Sequence, residues 1–412
     1  MNPPTIPLLL DRRILLGVTG SIAAYKAADL ASKLAQAGAR VDVILTEAAE
    51  RFVSALTFQS VTGRRAFRET DLWGSEAHVL HVGLGASADL LVVAPATANT
   101  IAKLAHGAAD SLITVTALAA RCPLLLAPAM DAGMFEHPAT QANLELLRQR
   151  GAVVIGPAEG RMASGQVGLG RMVEPAELLG HVRLALGRSG SLAGRTVVVT
   201  AAGTQEPLDP VRSITNRSSG KQGFALAQAA LDRGAAVTLI AGTTHLEPPV
   251  GAHHVEALTA SAMQAAVHSR IGDADVLLMA AAVADFRPTL TNTQKIKRAK
   301  GVGDLHLEPT EDILAEVAAV RKRSGRPQVV VGFAAESQDM VANAIAKLEA
   351  KGLSLIVAND ITSPDAGFAV DDNRVTLIDA EGAIQELPLM SKAQVAEVVL
   401  ERVERLLSVE EG

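Results

Sequence analysis

The chain has 412 residues, of which 49% are hydrophobic, 20% charged and 2% aromatic, and its formal net charge is −6. That length suits two or three domains of roughly 100–200 residues, with cores built from Ala, Leu, Val and Ile in place of aromatic rings. The lack of a basic surplus argues against nucleic acid or a membrane surface as partner, and the single cysteine, Cys122, excludes an intrachain disulfide framework or a multi-cysteine metal site. No uncharged apolar run approaches the ~18–20 residues of a spanning helix. The opening MNPPTIPLLLDRR carries its positive charges after the leucines, unlike a secretory signal, so a cytoplasmic protein is expected.

In chain order, Ile14 to Val18 predicts a strand, and Ala23 to Gln36 keeps helical spacing with strong helix formers. Gly38 is placed to end that helix, and Val41 to Leu45 to form the next strand. The continuous apolar runs ADLLVVAPAT (88–97), PLLLAPAM (123–130), ADVLLMAAAV (274–283) and LSLIVAND (353–360) suit parallel strands buried on both faces. The strand, loop, helix, strand order recurs at 196–241 and in part at NLELLRQRGAVVIGP (143–157). Helices between such strands make right-handed βαβ crossovers, so the class is α/β. The Gly/Ser-rich LGRSGSLAGR (186–195) follows a helical stretch, Ala176 to Leu186, and precedes a fresh strand. Two domains follow, 1–186 and 196–412, with 187–195 as linker.

Ligands of an open parallel sheet sit beyond the C-terminal strand ends. GVTGS (17–21) lies at such an end and opens a helix. Gly17 and Gly20 permit a tight turn, Thr19 and Ser21 add hydroxyls, and a helix N-terminus favours an anion. The same composition also serves a purely structural turn, and it is not the G-x-G-x-x-G fingerprint. ILTEAA (44–49), APATANT (94–100) and APAMDAGMF (127–135) put small polar residues at further strand ends. Together these stretches resemble the homo-oligomeric flavin-containing cysteine decarboxylases over residues 12–185. The resemblance implies a flavodoxin-like parallel sheet that binds FMN. It puts Thr19, Gly20, Ser21 and Ile22 around the phosphate, beside the Gly17 turn, and Thr46, Pro95, Ala96, Thr97 and Asn99 along the rest of the flavin. It also makes His81 the family's essential histidine, where a lone histidine would otherwise be read as structural.

NRSSGKQG (216–223) is a cationic, hydroxyl-rich loop before an Ala-rich amphipathic run. Backbone N–H groups of a Ser-Ser-Gly turn can converge on an anion, and Arg212, Arg217 and Lys221 add charge-assisted donors; a solvated loop is the plainer alternative. Followed by AAAVADFRP, QKIKR, GFAAES, KLEAKG and ANDI, this stretch resembles phosphopantothenate–cysteine ligase. With the first half, it matches the bifunctional phosphopantothenoylcysteine decarboxylase/phosphopantothenate–cysteine ligases of coenzyme A synthesis.

The resemblance implies a Rossmann-like ligase domain. There the 4′-phosphopantothenate carboxylate is joined to CMP from CTP, and the amine of cysteine attacks the acyl-cytidylate. It places Asn216 at the acyl-cytidylate and Lys295 at the triphosphate. Arg212 and Lys221 are expected at the substrate, and Ala281, Asp285, Asp312, Ile313, Phe333, Lys347 and Lys351 at CTP. Lys347 and Lys351 share a helix face, which by itself is usually a solvated one. Mg²⁺ is expected with the triphosphate, its ligands unspecified by the sequence. The family also implies a homo-oligomer, with trimers through the flavin domain, dimers through the ligase domain and hence a dodecamer.

The chain departs from the decarboxylase pattern at two positions. Asp131 follows PAM where the family has asparagine, and Ser164 stands in RMASGQVGLGRM where it has cysteine. In the family the asparagine holds the substrate carboxylate and the cysteine supplies a proton after flavin oxidation has eased decarboxylation. An ionised Asp131 would repel that carboxylate, and a serine hydroxyl is a poor proton donor. A variant decarboxylase, one that stops at an oxidised enethiol, and a flavin-binding partner of a working ligase all fit these residues. An electron-transfer flavoprotein would leave the C-terminal half unexplained, and a nucleotide-binding regulator would bind ligand without turnover, so product formed from cysteine would exclude it.

Overall fold

A computed structural model of the chain describes residues 5–74, 77–163, 165–297, 304–336, 339–360 and 371–410. The chain divides into two compact units, Met1–Leu186 and Gly187–Gly412.

In the first unit a parallel sheet is ordered Ala66–Arg68, Arg40–Leu45, Arg13–Val18, Leu90–Ala96, Leu124–Pro128, Val153–Val154. In chain order this is 3-2-1-4-5-6, whereas the flavodoxin order begins 2-1-3. The doubly wound parallel class is the expected one, and the order reverses between the first and fourth strands. Leu90–Ala96 is buried along its whole length, which is why it reads as an unbroken apolar run. The helix expected over 23–36 spans Ala24–Gln36 and buries Ala24, Ala27, Leu30, Ala31 and Leu34, spacing that lays one face on the sheet. A hairpin pairs Ala158–Arg161 with Val167–Arg171.

The sheet of the second unit is ordered His253–Glu256, Ala236–Ala241, Thr196–Ala201, Val276–Met279, Val329–Glu336, Leu355–Asp360, Val375–Asp379, Ile384–Glu386. Its first six strands are parallel and again run 3-2-1-4-5-6 in their own chain order. The last two are antiparallel additions. Helices Ala260–Ile271, Ile313–Ser324 and Met340–Lys351 share a core with Val198, Leu277, Val330 and Ile356. Helices Lys221–Asp232 and Lys392–Glu410 pack on each other and on the sheet. Residues 187–195 are anchored to this unit: Leu192 is buried and donates its N–H to the Arg233 carbonyl at 2.8 Å. Two short antiparallel pairs touch each other to form an arm, Gln205–Pro207 with Ser213–Thr215 and Phe286–Pro288 with Leu307–Pro309.

Candidate active sites

Each unit has a cavity at the C-terminal end of its parallel strands, where open α/β sheets hold ligands. In the first unit the cavity is about 1290 Å³ and is lined by Gly20, Ser21, Ile22, Thr46, Thr97, Asn99 and Asp131. Gly17, Thr19, Pro95 and Ala96 stand behind that lining. Thr19 is 1% exposed, donates its hydroxyl to the Pro95 carbonyl at 2.7 Å and accepts the Thr97 N–H at 3.1 Å. It is a strut between the two ligand loops. His81 lies in helix Ala77–Ser87 outside the lining, and its Nδ1 is buried with no hydrogen-bond partner. Ser164 lies outside the described residues.

The lining fits FMN. Helix Ala24–Gln36 starts without a side-chain cap; the Ser21 and Ala23 carbonyls take the N–H groups of Ala24 and Lys26, so the positive dipole end and the Ser21 hydroxyl are what the turn offers a phosphate. The turn before it needs Gly20, because a Cβ there would sit 2.4 Å from Ala48 Cβ. Ile22 is 60% exposed beside Met130 in the lining, apolar surface suited to a flat ring. Asp131 caps helix Ala132–Glu136, its Oδ1 accepting the Gly133 N–H at 3.1 Å. The hairpin closes on this point, with Met130 N–H donating to the Gly170 carbonyl at 3.0 Å. Glu69, which sequence reasoning missed, also lines the cavity and accepts the Leu112 N–H at 2.7 Å. Burial pushes its carboxyl above the ordinary value.

The cavity of the second unit, about 700 Å³, is lined by Asn216, Arg217, Lys221, Ala281, Asp285, Asp312, Ile313, Phe333, Lys347 and Lys351. Helix Lys221–Asp232 begins at Gly220, whose φ of 80° is left-handed and which provides no side-chain cap. Gly223 lets the helix meet the first strand, since a Cβ would lie 2.5 Å from Ala201 Cβ. Asn216 is oriented by donating Nδ2–H to the Val283 carbonyl at 2.9 Å. Asp312 caps helix Ile313–Ser324 and pairs with Lys351. Burial opposes its charge, but the Lys351 ammonium and backbone N–H groups outweigh that and hold its carboxyl below the usual range.

Arg212 and Lys295 do not line this cavity. Arg212 is instead paired with Asp209 at 2.5 Å, and Lys295 is exposed on a segment that packs against the 205–215 hairpin. Burial opposes ionisation of Asp209, but Arg212 and the N–H groups of Val211, Ile296 and Arg212 overcome it and hold the carboxyl far below the usual range.

The structure adds Gln222, Asn359, Asn373 and Lys392 to the lining. Lys392 is only 6% exposed. Burial first, and the nearby Lys221 second, push its ammonium below the ordinary value, against the pull of Asp371 and Asp372. Gln222 donates Nε2–H to the Lys392 carbonyl at 3.2 Å, leaving its Oε1, like Asn359 Oδ1, buried without a partner. ANDI was the one sequence signal at this corner. Lys392 is separated from the other lining residues in sequence and nothing local marks it. Among the described residues no cluster of His, Cys, Asp or Glu could hold a metal, and no helix is long and apolar enough to cross a membrane.

Residues 8–186 match the family model described as Flavoprotein, and residues 192–407 match that of the DNA/pantothenate metabolism flavoprotein C-terminal domain. The coenzyme A biosynthesis bifunctional protein CoaBC of Bacillus subtilis (strain 168) is 45% identical over 402 residues, which cover 97% of this chain and 98% of that one. The chain belongs to the bifunctional coenzyme A biosynthesis protein family. The relative of the same name from Mycobacterium tuberculosis (strain ATCC 25618 / H37Rv) is 44% identical over 411 residues, covering 97% of this chain and 98% of that one. A crystal structure of the C-terminal domain of a coenzyme A biosynthesis bifunctional protein CoaBC is 35% identical and covers 53% of this chain and 99% of that one, with a TM-score of 0.46. As a member of the family, the chain is an enzyme with phosphopantothenate–cysteine ligase and phosphopantothenoylcysteine decarboxylase activities, and FMN is its flavin.

Proposed function

We propose that the second unit uses CTP and Mg²⁺ to join 4′-phosphopantothenate to cysteine through an acyl-cytidylate, and that the first unit decarboxylates the product to 4′-phosphopantetheine. One observation carries the ligase reading. Asn216, Ala281, Asp285, Asp312, Phe333 and Lys347, from separate segments of the chain, line a single cavity. Asn216 is held by the Val283 carbonyl, which supports its place at the activated acyl group. Lys221, Lys347 and Lys351 supply positive charge to a polyphosphate, and catalysis is then chiefly positioning and charge neutralisation.

In the first unit Gly20, Ser21 and Ile22 hold the FMN phosphate, Thr46, Thr97 and Asn99 line the ring, and Gly17, Thr19, Pro95 and Ala96 support these loops from behind. Bound FMN supplies the two-electron oxidation and reduction that ease loss of the carboxylate. Asp131 fixes the loop facing the substrate, and with Ser164 in place of the family's cysteine a water or a different acid supplies the proton.

The enzyme acts in the cytoplasm as a homo-oligomer, trimeric through the first unit and dimeric through the second, hence a dodecamer. Support comes from residues that stand outside their own chain's cavities, His81 in the first unit and Arg212 and Lys295 in the second, and from exposed apolar side chains beside them. Val82 is 49% exposed, and Val211 and Leu290 on the arm are 64% and 82% exposed.

The test is mass spectrometry of purified enzyme with 4′-phosphopantothenate, cysteine, Mg²⁺ and CTP. The expected products are 4′-phosphopantetheine, CMP and pyrophosphate, with none formed when CTP is omitted. Accumulation of phosphopantothenoylcysteine, or of a species two hydrogens short of phosphopantetheine, would overturn the decarboxylase reading. Absence of pyrophosphate would overturn the ligase one.

A further inference from the structure

Asp209 gathers an unusual number of donors on one carboxylate. It is 3% exposed. Its Oδ1 accepts the N–H groups of Val211 and Arg212, each at 2.9 Å. Its Oδ2 accepts Arg212 Nε at 3.0 Å, Arg212 Nη2 at 2.5 Å and the Ile296 N–H at 3.1 Å. Arg212 Nη2 also donates to the Ile296 carbonyl at 2.7 Å, closing a ring of three groups. Nearby, Asn292 N–H reaches the Leu208 carbonyl at 3.0 Å and the Thr291 hydroxyl the Pro207 carbonyl at 3.1 Å. Asp209 thus binds, on one oxygen, both the guanidinium of Arg212 and the backbone next to Lys295.

We propose that Asp209 is a positioning residue of the ligase reaction, whose carboxylate presents Arg212 and Lys295 to the substrate as one rigid unit. The proposal rests on the reading that those two cations act on substrate. The chemistry requires a carboxylate at this point. A bidentate guanidinium and a backbone N–H all demand acceptors. An amide of the same volume would turn an NH₂ toward one of them and leave donor facing donor. A longer acid keeps the charge but moves the oxygens by one methylene, and a misplacement of about 1 Å can cost roughly a hundredfold in rate.

The experiment uses the full chain. Pyrophosphate release reports ligation, and decarboxylation of supplied phosphopantothenoylcysteine by the other unit serves as an internal control. Asp209→Glu is expected to lower the ligase kcat roughly 10- to 100-fold with decarboxylation unchanged. On a Lys295→Met background its effect is expected to be at least about threefold smaller, because coupled residues are non-additive. Asp209→Asn, where it folds, follows the same pattern. An Asp209→Glu enzyme with undiminished ligase turnover overturns the proposal. So does a loss that multiplies in full with Lys295→Met, since that is the behaviour of a purely structural carboxylate. If Lys295→Met and Arg212→Leu themselves leave ligation unaltered, the reading of those two as substrate residues fails, and the proposal with it.

Discussion

At the scale of single residues, Asp131 shows how one side chain meets two demands. It caps helix Ala132–Glu136 through Gly133 N–H while facing the first cavity. Asparagine caps a helix as well as aspartate but carries no charge toward an incoming carboxylate. Asp131→Asn is therefore expected to leave the thermal midpoint unchanged and to raise decarboxylase kcat/KM about tenfold, roughly 1.4 kcal/mol of removed repulsion. Steady-state kinetics on phosphopantothenoylcysteine would check this, and a loss of activity would refute the repulsion argument. Residues inside a motif were legible before the fold was known: Asn216, Asp285 and Phe333 all reach the expected cavity. Lys392 was not, because an isolated lysine at the start of an amphipathic helix looks like any other until the fold buries it. Arg212 stood in the right motif, but sequence could not reveal that Asp209 holds its guanidinium away from the chain's own cavity.

At the scale of elements, the parallel strands were legible because burial on both faces writes an apolar run. The antiparallel strand Ile384–Glu386 is exposed along its length and carries no such signal. The ligand turns depend on close approach between elements, and two glycines report on it separately. Gly20→Ala would drive a methyl to 2.4 Å from Ala48 Cβ, and Gly223→Ala would place one 2.5 Å from Ala201 Cβ. Over-packing of this kind costs about 1–3 kcal/mol. Gly20→Ala is expected to weaken flavin retention roughly 10- to 100-fold while pyrophosphate release proceeds normally. Gly223→Ala should impair ligation and keep the bound flavin. Visible absorption of the purified variants and a pyrophosphate assay separate the two, and loss of both functions from either variant would contradict the division of labour.

At the scale of the whole molecule, the recurring strand, loop, helix, strand pattern in the sequence has its counterpart in two sheets with the same 3-2-1-4-5-6 order of parallel strands. Each carries its cavity at the C-terminal strand ends, so one topology serves the flavin in one unit and, on the proposed function, a nucleotide in the other. No pattern in the sequence marks the arm as a contact surface, because apolar side chains there look like ordinary surface until their exposure is known. Val211→Glu combined with Leu290→Glu places charge on side chains that are 64% and 82% exposed. We expect this variant to lose the proposed contact between second units in native mass spectrometry and to ligate at least roughly tenfold more slowly, as loss of a central interface contact does. Decarboxylation of supplied substrate should survive. An intact assembly with full ligase activity would remove the arm from the interface.

A buried ammonium in a cavity wall makes the second unit's stability sensitive to what that cavity holds. Burying the Lys392 ammonium costs solvation, and the nearby Lys221 opposes its charge while Asp371 and Asp372 favour it. Ligand binding adds RT ln(1 + [L]/Kd) to stability, about 2.7 kcal/mol at a hundredfold excess over Kd. If the cavity takes CTP as proposed, thermal unfolding at graded CTP concentrations shows the midpoint of the second unit rising with the nucleotide, and an unchanged midpoint would count against nucleotide binding there.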